Sequence, residues 1–210
     1  MSIQVALHHH TRYEYERSIR VDPQLVRLRP AYHARTPIIA YGIEVSPDDH
    51  FRNWQQDPFG NPMARYVFPE KIDHLDITVD LIADMTVINP FDFFIAEYAD
   101  QFPFDYQPEN LRQLSPYLSV EEDDPSVDDF VAKMPLRTDR LVDFLVEVNQ
   151  IAHRRVDYTV RLEPGVQTPA ETLRIGRGSC RDSAWLLTQV FRKLGMAARF
   201  VSGYLIQLTA

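Results

Sequence analysis

Gly176-Arg177-Gly178-Ser179-Cys180-Arg181-Asp182-Ser183-Ala184 contains the only cysteine of the 210-residue chain, and its reading decides the second half of the fold. Two glycines free the backbone to turn sharply, Ser179 is a residue type that caps helices, and an apolar-periodic run follows at once. Ser179 with Asp182 three residues on has the form of a capping box, Asp standing in for the usual Glu. The pattern predicts Cys180 in the first turn of a helix, where free N–H groups and the macrodipole favour a thiolate. Ala184, Leu187, Val190, Phe191 and Leu194 continue that helix, and Gly195 ends it as a left-handed residue. By helical spacing Cys180 lies near the face of Leu187 and Leu194, which predicts an inward-pointing thiol.

Working outward, the neighbouring residues keep a helical period. Thr168-Pro169 is a cap followed by proline, opening a short helix from Ala170 to Ile175. Val156 to Arg161 reads as extended, and Glu163-Pro164-Gly165 as a turn. Thr138 or Asp139 caps a longer helix with Leu141, Phe144, Leu145, Val148, Ile151 and Ala152 in one stripe and Arg154 and Arg155 in its last turn. Ser126 caps a shorter helix, stopped by Pro135. After the cysteine helix, Ala198 to Leu208 is predicted to be a strand, with Gly203 at a bulge or close approach.

Before residue 90 the period is two. Ile3, Val5 and Leu7 alternate into Tyr13 and Tyr15, and Leu25 to Pro30 and Ile38 to Val45 give further strands. Asp57-Pro58 and Gly60-Asn61-Pro62 are turn chemistry before a strand from Met63 to Phe68. Leu75, Ile77, Val79, Leu81, Ala83, Met85 and Val87 form one apolar face opposite Asp76, Thr78, Asp80, Asp84 and Thr86. The predicted fold is α+β: an N-terminal antiparallel β-sandwich, then a helical region. Phe91, Phe93, Phe94, Tyr98, Phe102, Phe104 and Tyr106 are read as packing one domain against the next. The acidic run Glu121 to Asp124 is read as part of a solvated linker. A boundary near residue 115 divides domains 1–115 and 116–210.

Composition narrows the function. A formal net charge of -8 argues against a general nucleic-acid or anionic-membrane surface. No apolar run is long enough to span a bilayer, and the N-terminus has no basic-then-apolar signal segment. One cysteine makes no internal disulfide, so a cytoplasmic location is expected. His8, His9 and His10 are adjacent, but alternation sends His9 to the opposite face and no further ligands are in view. No metal and no cofactor are predicted.

For the thiol, residue types leave two readings open. A lone free cysteine is usually a small buried hydrophobe. The first-turn position, the glycines and Arg181 favour a reactive thiolate, which also needs a base, and only His153 lies in the same half of the chain.

Leu173 to Leu205, with its Gly-Arg-Gly-Ser-Cys-Arg-Asp-Ser-Ala helix start, Leu-Gly-Met-Ala-Ala-Arg and Val-Ser-Gly-Tyr-Leu, resembles the core of bacterial transglutaminase-like proteins. His10 to Tyr15, Val26 to Pro30 and Asn53 to Asn61 resemble their β-rich N-terminal region. The resemblance implies a papain-like fold with Cys180 as nucleophile of a Cys–His–Asp triad. It implies electrostatic and capping support from Arg181 and Asp182, beside the Ser179 cap already read from the sequence, and an aromatic near the site at Tyr158. It implies acyl transfer or amide hydrolysis through a thioester, on a protein or peptide substrate. The family's catalytic His and Asp follow the Val-Ser-Gly-Tyr strand, and no residue up to Ala210 matches them. The expectation is therefore the first part of a longer enzyme, with little turnover alone. The alternative is a non-catalytic binding or assembly module built on the β-rich region. The terminal strand, left with an open edge, is expected to pair between copies.

Overall fold

The computed structural model describes residues 3–86, 89, 91–134 and 139–206, and the chain divides into two compact units, Met1–Asp92 and Phe93–Ala210. Val87 at the end of the long strand, Pro135 as a helix stop, Thr138 as a cap and Leu208 at the chain end lie outside the described residues.

The first unit is built from β1 (Ile3–Ile19), β2 (Gln24–Val26), β3 (Ile38–Ser46), β4 (Phe51–Gln56), β5 (Pro62–Val67) and β6 (Ile72–Met85). They form two antiparallel three-stranded sheets, ordered β1-β6-β3 and β2-β5-β4. In β6 the predicted alternation holds: Leu75, Ile77, Val79, Leu81 and Ala83 are buried. Val26, Val45, Ala64, Tyr66, Ile77 and Val79, drawn from both sheets, share one apolar core. The β4–β5 turn is tied by Asp57, whose carboxylate accepts the Phe59 N–H at 2.9 Å and the Asn61 N–H at 2.9 Å. The histidine run lies inside β1: His8 pairs with Asp80 at 2.7 Å, while the His9 ring meets Thr11 at 2.9 Å on the opposite side of the strand.

The second unit contains β7 (Gln101–Phe102), α1 (Pro108–Leu118), α2 (Pro125–Val131), β8 (Asp139–Arg140), α3 (Leu141–Arg155), β9 (Asp157–Tyr158), α4 (Pro169–Ile175), β10 (Arg177–Gly178) and α5 (Cys180–Lys193). Its core gathers Phe144 and Val148 from α3, Val127 from α2, Leu173 from α4, and Leu186 and Val190 from α5. Phe102 stacks on Phe144 with ring centroids 3.8 Å apart.

Four expectations change. The division falls at Asp92/Phe93, and α1 runs through residue 115. The reason is that Phe102 and Phe104 pack into the second unit's own core, while Phe91, Phe93 and Phe94 are exposed. The acidic run is not a free linker. Glu122 accepts the Trp185 indole N–H at 2.7 Å, Glu121 accepts Arg192 Nη1 at 2.7 Å, and Asp123 pairs with Lys193. These partners recur along α5 at helical spacing, so a single face of the helix meets successive acids. Asp124 rather than Ser126 caps α2, accepting the Ser126 N–H at 2.8 Å, and Asp139 lies in β8 instead of capping α3. Ala198 to Ile206 joins no sheet among the described residues. Its start is held by polar contacts instead, Ala197 N–H to Tyr106 Oη at 2.9 Å and Ala198 N–H to the Tyr117 carbonyl at 2.9 Å. Among the described residues no helix is long and apolar enough to cross a membrane.

Candidate active site

The approach to Cys180 is a two-residue parallel ladder. Tyr158 of β9 stands opposite Gly178 of β10, with Asp157 N–H donating to the Gly176 carbonyl at 2.9 Å and Thr159 N–H to the Gly178 carbonyl at 3.0 Å. Gly176 closes α4 at φ 71°, a left-handed conformation that suits glycine. Thr168 caps the start of α4, as its sequence predicts. The chain therefore enters α5 from a fixed direction, two residues after the ladder ends.

Ser179 caps α5, and its backbone N–H and hydroxyl both donate to Asp182 Oδ2, at 2.8 and 2.7 Å. At the far end Met196 N–H reaches the Phe191 carbonyl and Gly195 N–H the Arg192 carbonyl, with Gly195 at φ 79°, a Schellman closure. The 14-residue helix is thus terminated at both ends by its own sequence.

Cys180 is exposed, which corrects the inward thiol expected from helical spacing. The physical reason is which face of α5 is buried. Asp182, Leu186, Gln189 and Val190 are packed inside, whereas Leu187 and Leu194 are only partly covered. Cys180 at the first helical position points away from the packed side.

Asp182 is the centre of the local network, with its side chain fully buried. Besides Ser179, it receives Arg161 Nε at 2.9 Å and Nη2 at 3.0 Å, a bidentate pair, and the Gln167 backbone N–H at 2.8 Å. Burial alone would push this carboxyl up, but the Arg161 guanidinium, the Gln167 N–H and the two Ser179 donors outweigh it and hold the group well below the usual carboxylate range. In turn the bond to Asp182 raises the Arg161 guanidinium above its ordinary value.

The other expected residues are placed as follows. Arg181 points its guanidinium toward the Arg161 and Glu163 carbonyls, both at the long distance of 3.5 Å. Tyr158 is brought beside the cysteine segment by the ladder, with its side chain 71% exposed. His153 lies exposed in the last turn of α3. A concavity of about 730 Å³ between α2 and α4, lined by Asp129, Lys133, Arg155, Glu171 and Arg174, does not include Cys180.

Arg161 and Gln167 carry this network and were not singled out from sequence. In this segment, read from the sequence only as extended, Val160 is 72% and Leu162 91% exposed, while the Arg161 side chain is 13% exposed and turned onto Asp182. An acidic residue at the third helical position was the available signal, since a buried carboxylate needs a partner.

Residues 5–84 match the family model of the bacterial transglutaminase-like N-terminal region, and residues 129–209 match that of the transglutaminase-like superfamily. The chain belongs to the transglutaminase-like superfamily. A solved structure from Cytophaga hutchinsonii, named as "a Putative Cysteine Protease", superposes with a TM-score of 0.67 at 14% identity. The match covers 93% of this chain and 65% of that one, so this transglutaminase-like chain spans about two thirds of its neighbour's length. At that identity the likeness concerns the fold. No curated protein matches the chain.

Proposed function

We propose that Cys180 is the nucleophile of a cysteine-dependent acyl-transfer centre acting on a carboxamide or peptide carbonyl of a protein or peptide substrate. The observation that carries this reading is an exposed thiol at the first position of a helix whose start is locked by its own capping box. A helix N-terminus with an accessible thiol is a setting in which reactive cysteines are found.

In the proposed step the sulfur attacks the carbonyl carbon, the C–N bond breaks, and the amine leaves with the proton that the thiol gave up to a base. The thioester is then resolved by an amine, giving transfer, or by water, giving hydrolysis. The reading assigns this chain the nucleophile. A single free thiol is best preserved in a reducing compartment, which supports a cytoplasmic setting.

Iodoacetamide labelling followed by mass spectrometry tests the reading. At neutral pH the folded chain is expected to label on Cys180 roughly ten times faster than the same chain in urea, in line with a thiol at a helix N-terminus. Equal rates would remove the activated nucleophile.

A further inference from the structure

The capping box of α5 creates an electrostatic problem for the residue beside it. Asp182 places a full negative charge in the same turn as Cys180, and a nearby anion disfavours a second one. Uncompensated, that carboxylate would cancel the positive helix end that a thiolate needs. The structure contains a specific answer: Arg161, from a segment 21 residues away, closes a bidentate pair on Asp182 at 2.9 and 3.0 Å. The same guanidinium donates to the Gly165 carbonyl at 2.7 Å, so it also fastens the loop that leads from Tyr158 to Gln167.

We propose that Arg161 is a positioning residue for Cys180: its pairing with Asp182 neutralises the capping carboxylate and so leaves the helix N-terminus free to stabilise the thiolate. This rests on the nucleophile reading above. The remaining charged groups of the surrounding elements do not supply that compensation. Asp157 on β9, Arg177 on β10, Glu163 on the loop, Glu171 and Arg174 on α4, and His153, Arg154 and Arg155 at the end of α3 are exposed. Arg181 on α5 itself is half-buried and directed at carbonyls. On α2, Asp128 is bonded to Lys193 at the opposite end of α5, and Asp129 and Lys133 line the concavity that excludes Cys180. Glu109 and Arg112 on α1 are exposed. Among the described residues, the Arg161 pair is the one that joins the fully buried first-turn carboxylate to a guanidinium, on a side chain 13% exposed.

The test is the pH profile of Cys180 alkylation in the full chain, measured alongside circular dichroism. Arg161→Met leaves an unpaired carboxylate, and is expected to raise the midpoint by about one pH unit, slowing labelling at pH 7 about tenfold. The double variant Arg161→Met/Asp182→Asn removes both charges and is expected to return the midpoint to within a few tenths of a unit of the parent. Arg161→Lys keeps the charge without the fork, and is expected to retain the parent midpoint even where stability drops. Should Arg161→Met fail to fold, Arg161→Gln, which can still donate hydrogen bonds but carries no charge, decides in its place: a midpoint raised by about one pH unit is expected, and an unchanged one overturns the proposal. A merely structural role predicts that midpoints stay fixed while melting temperatures fall, and that result overturns the proposal. A parent thiol that titrates and labels like the unfolded chain overturns the nucleophile reading and this one together. An activated parent with an unchanged Arg161→Met profile overturns only this one.

Discussion

A Cβ added to Gly178 would come to 2.9 Å from the Cβ of Asp182, closer than two carbon atoms can pack. The ladder residue opposite Tyr158 and the buried carboxylate of α5 are therefore in direct apposition. Gly178→Ala is expected to force the β10–α5 junction apart at a cost of about 1–3 kcal/mol, the range for overpacking. Urea denaturation would read the loss, and an unchanged midpoint would show that the junction yields freely.

The pH dependence of stability follows from Asp182. Its folded-state pKa is depressed, so the unfolded chain binds more protons than the folded one as pH falls below the ordinary carboxylate value. The contribution is fully present above roughly pH 4–5, where the unfolded carboxyl is already ionised, and is lost progressively as the solution becomes strongly acid. Lys193 has the opposite sign: its bonds to Asp123 and Asp128 raise it, so its contribution is present below the unfolded lysine value and fades in strong alkali. Subtracting the urea midpoint of Asp182→Asn from that of the parent between pH 2 and 7 should give a difference that shrinks toward acid. A flat difference would refute the assignment.

Arg192 ties the acidic segment to α5. Its guanidinium donates to the Ser119 carbonyl at 2.8 Å, the Ala198 carbonyl at 3.1 Å and Glu121 at 2.7 Å, with its side chain 5% exposed. Arg192→Met keeps much of the stem but leaves these acceptors without their donor, which should cost about 2–4 kcal/mol. Release of the segment should also open Glu121 and Glu122 to a glutamate-specific protease. Cleavage no faster than in the parent would mean that the segment is held elsewhere.

How much of this was legible follows the range of the interactions. The Ser179–Asp182 box, the Thr168 cap, the Gly195 terminus and the alternation of β6 depend on residues within a few positions of each other, and each was readable from spacing. The Arg161–Asp182 pair and the Glu122–Trp185 bond join residues 21 and 63 apart, and no local period encodes them. Exposure of Cys180 was misread for a related reason. Helical spacing says which residues share a face, while the choice of the buried face is made by the elements packed on the other side. In α5 that choice is marked by Asp182 and Gln189, two polar residues inside the packed stripe that an apolar count does not select.

Phe144 offers the sharpest test of the second unit's core. It is fully buried, lies on α3, and its ring is stacked on Phe102 with an interplanar angle of 7°. Phe102 belongs to β7, whose partner strand β8 leads directly into α3, so the stack closes the loop between Gln101 and Leu141. Phe144→Ala removes a whole aromatic side chain where the surroundings can collapse only in part, with an expected cost of about 3–5 kcal/mol. Phe144→Leu preserves much of the volume and loses only the stacking contact, and should cost clearly less. Because Val148, Leu186 and Val190 belong to the same core, the alanine variant should loosen α5 as well. Hydrogen exchange of the α5 amides would then rise in Phe144→Ala and stay near the parent in Phe144→Leu; unchanged protection in both would separate α5 energetically from the core beneath it.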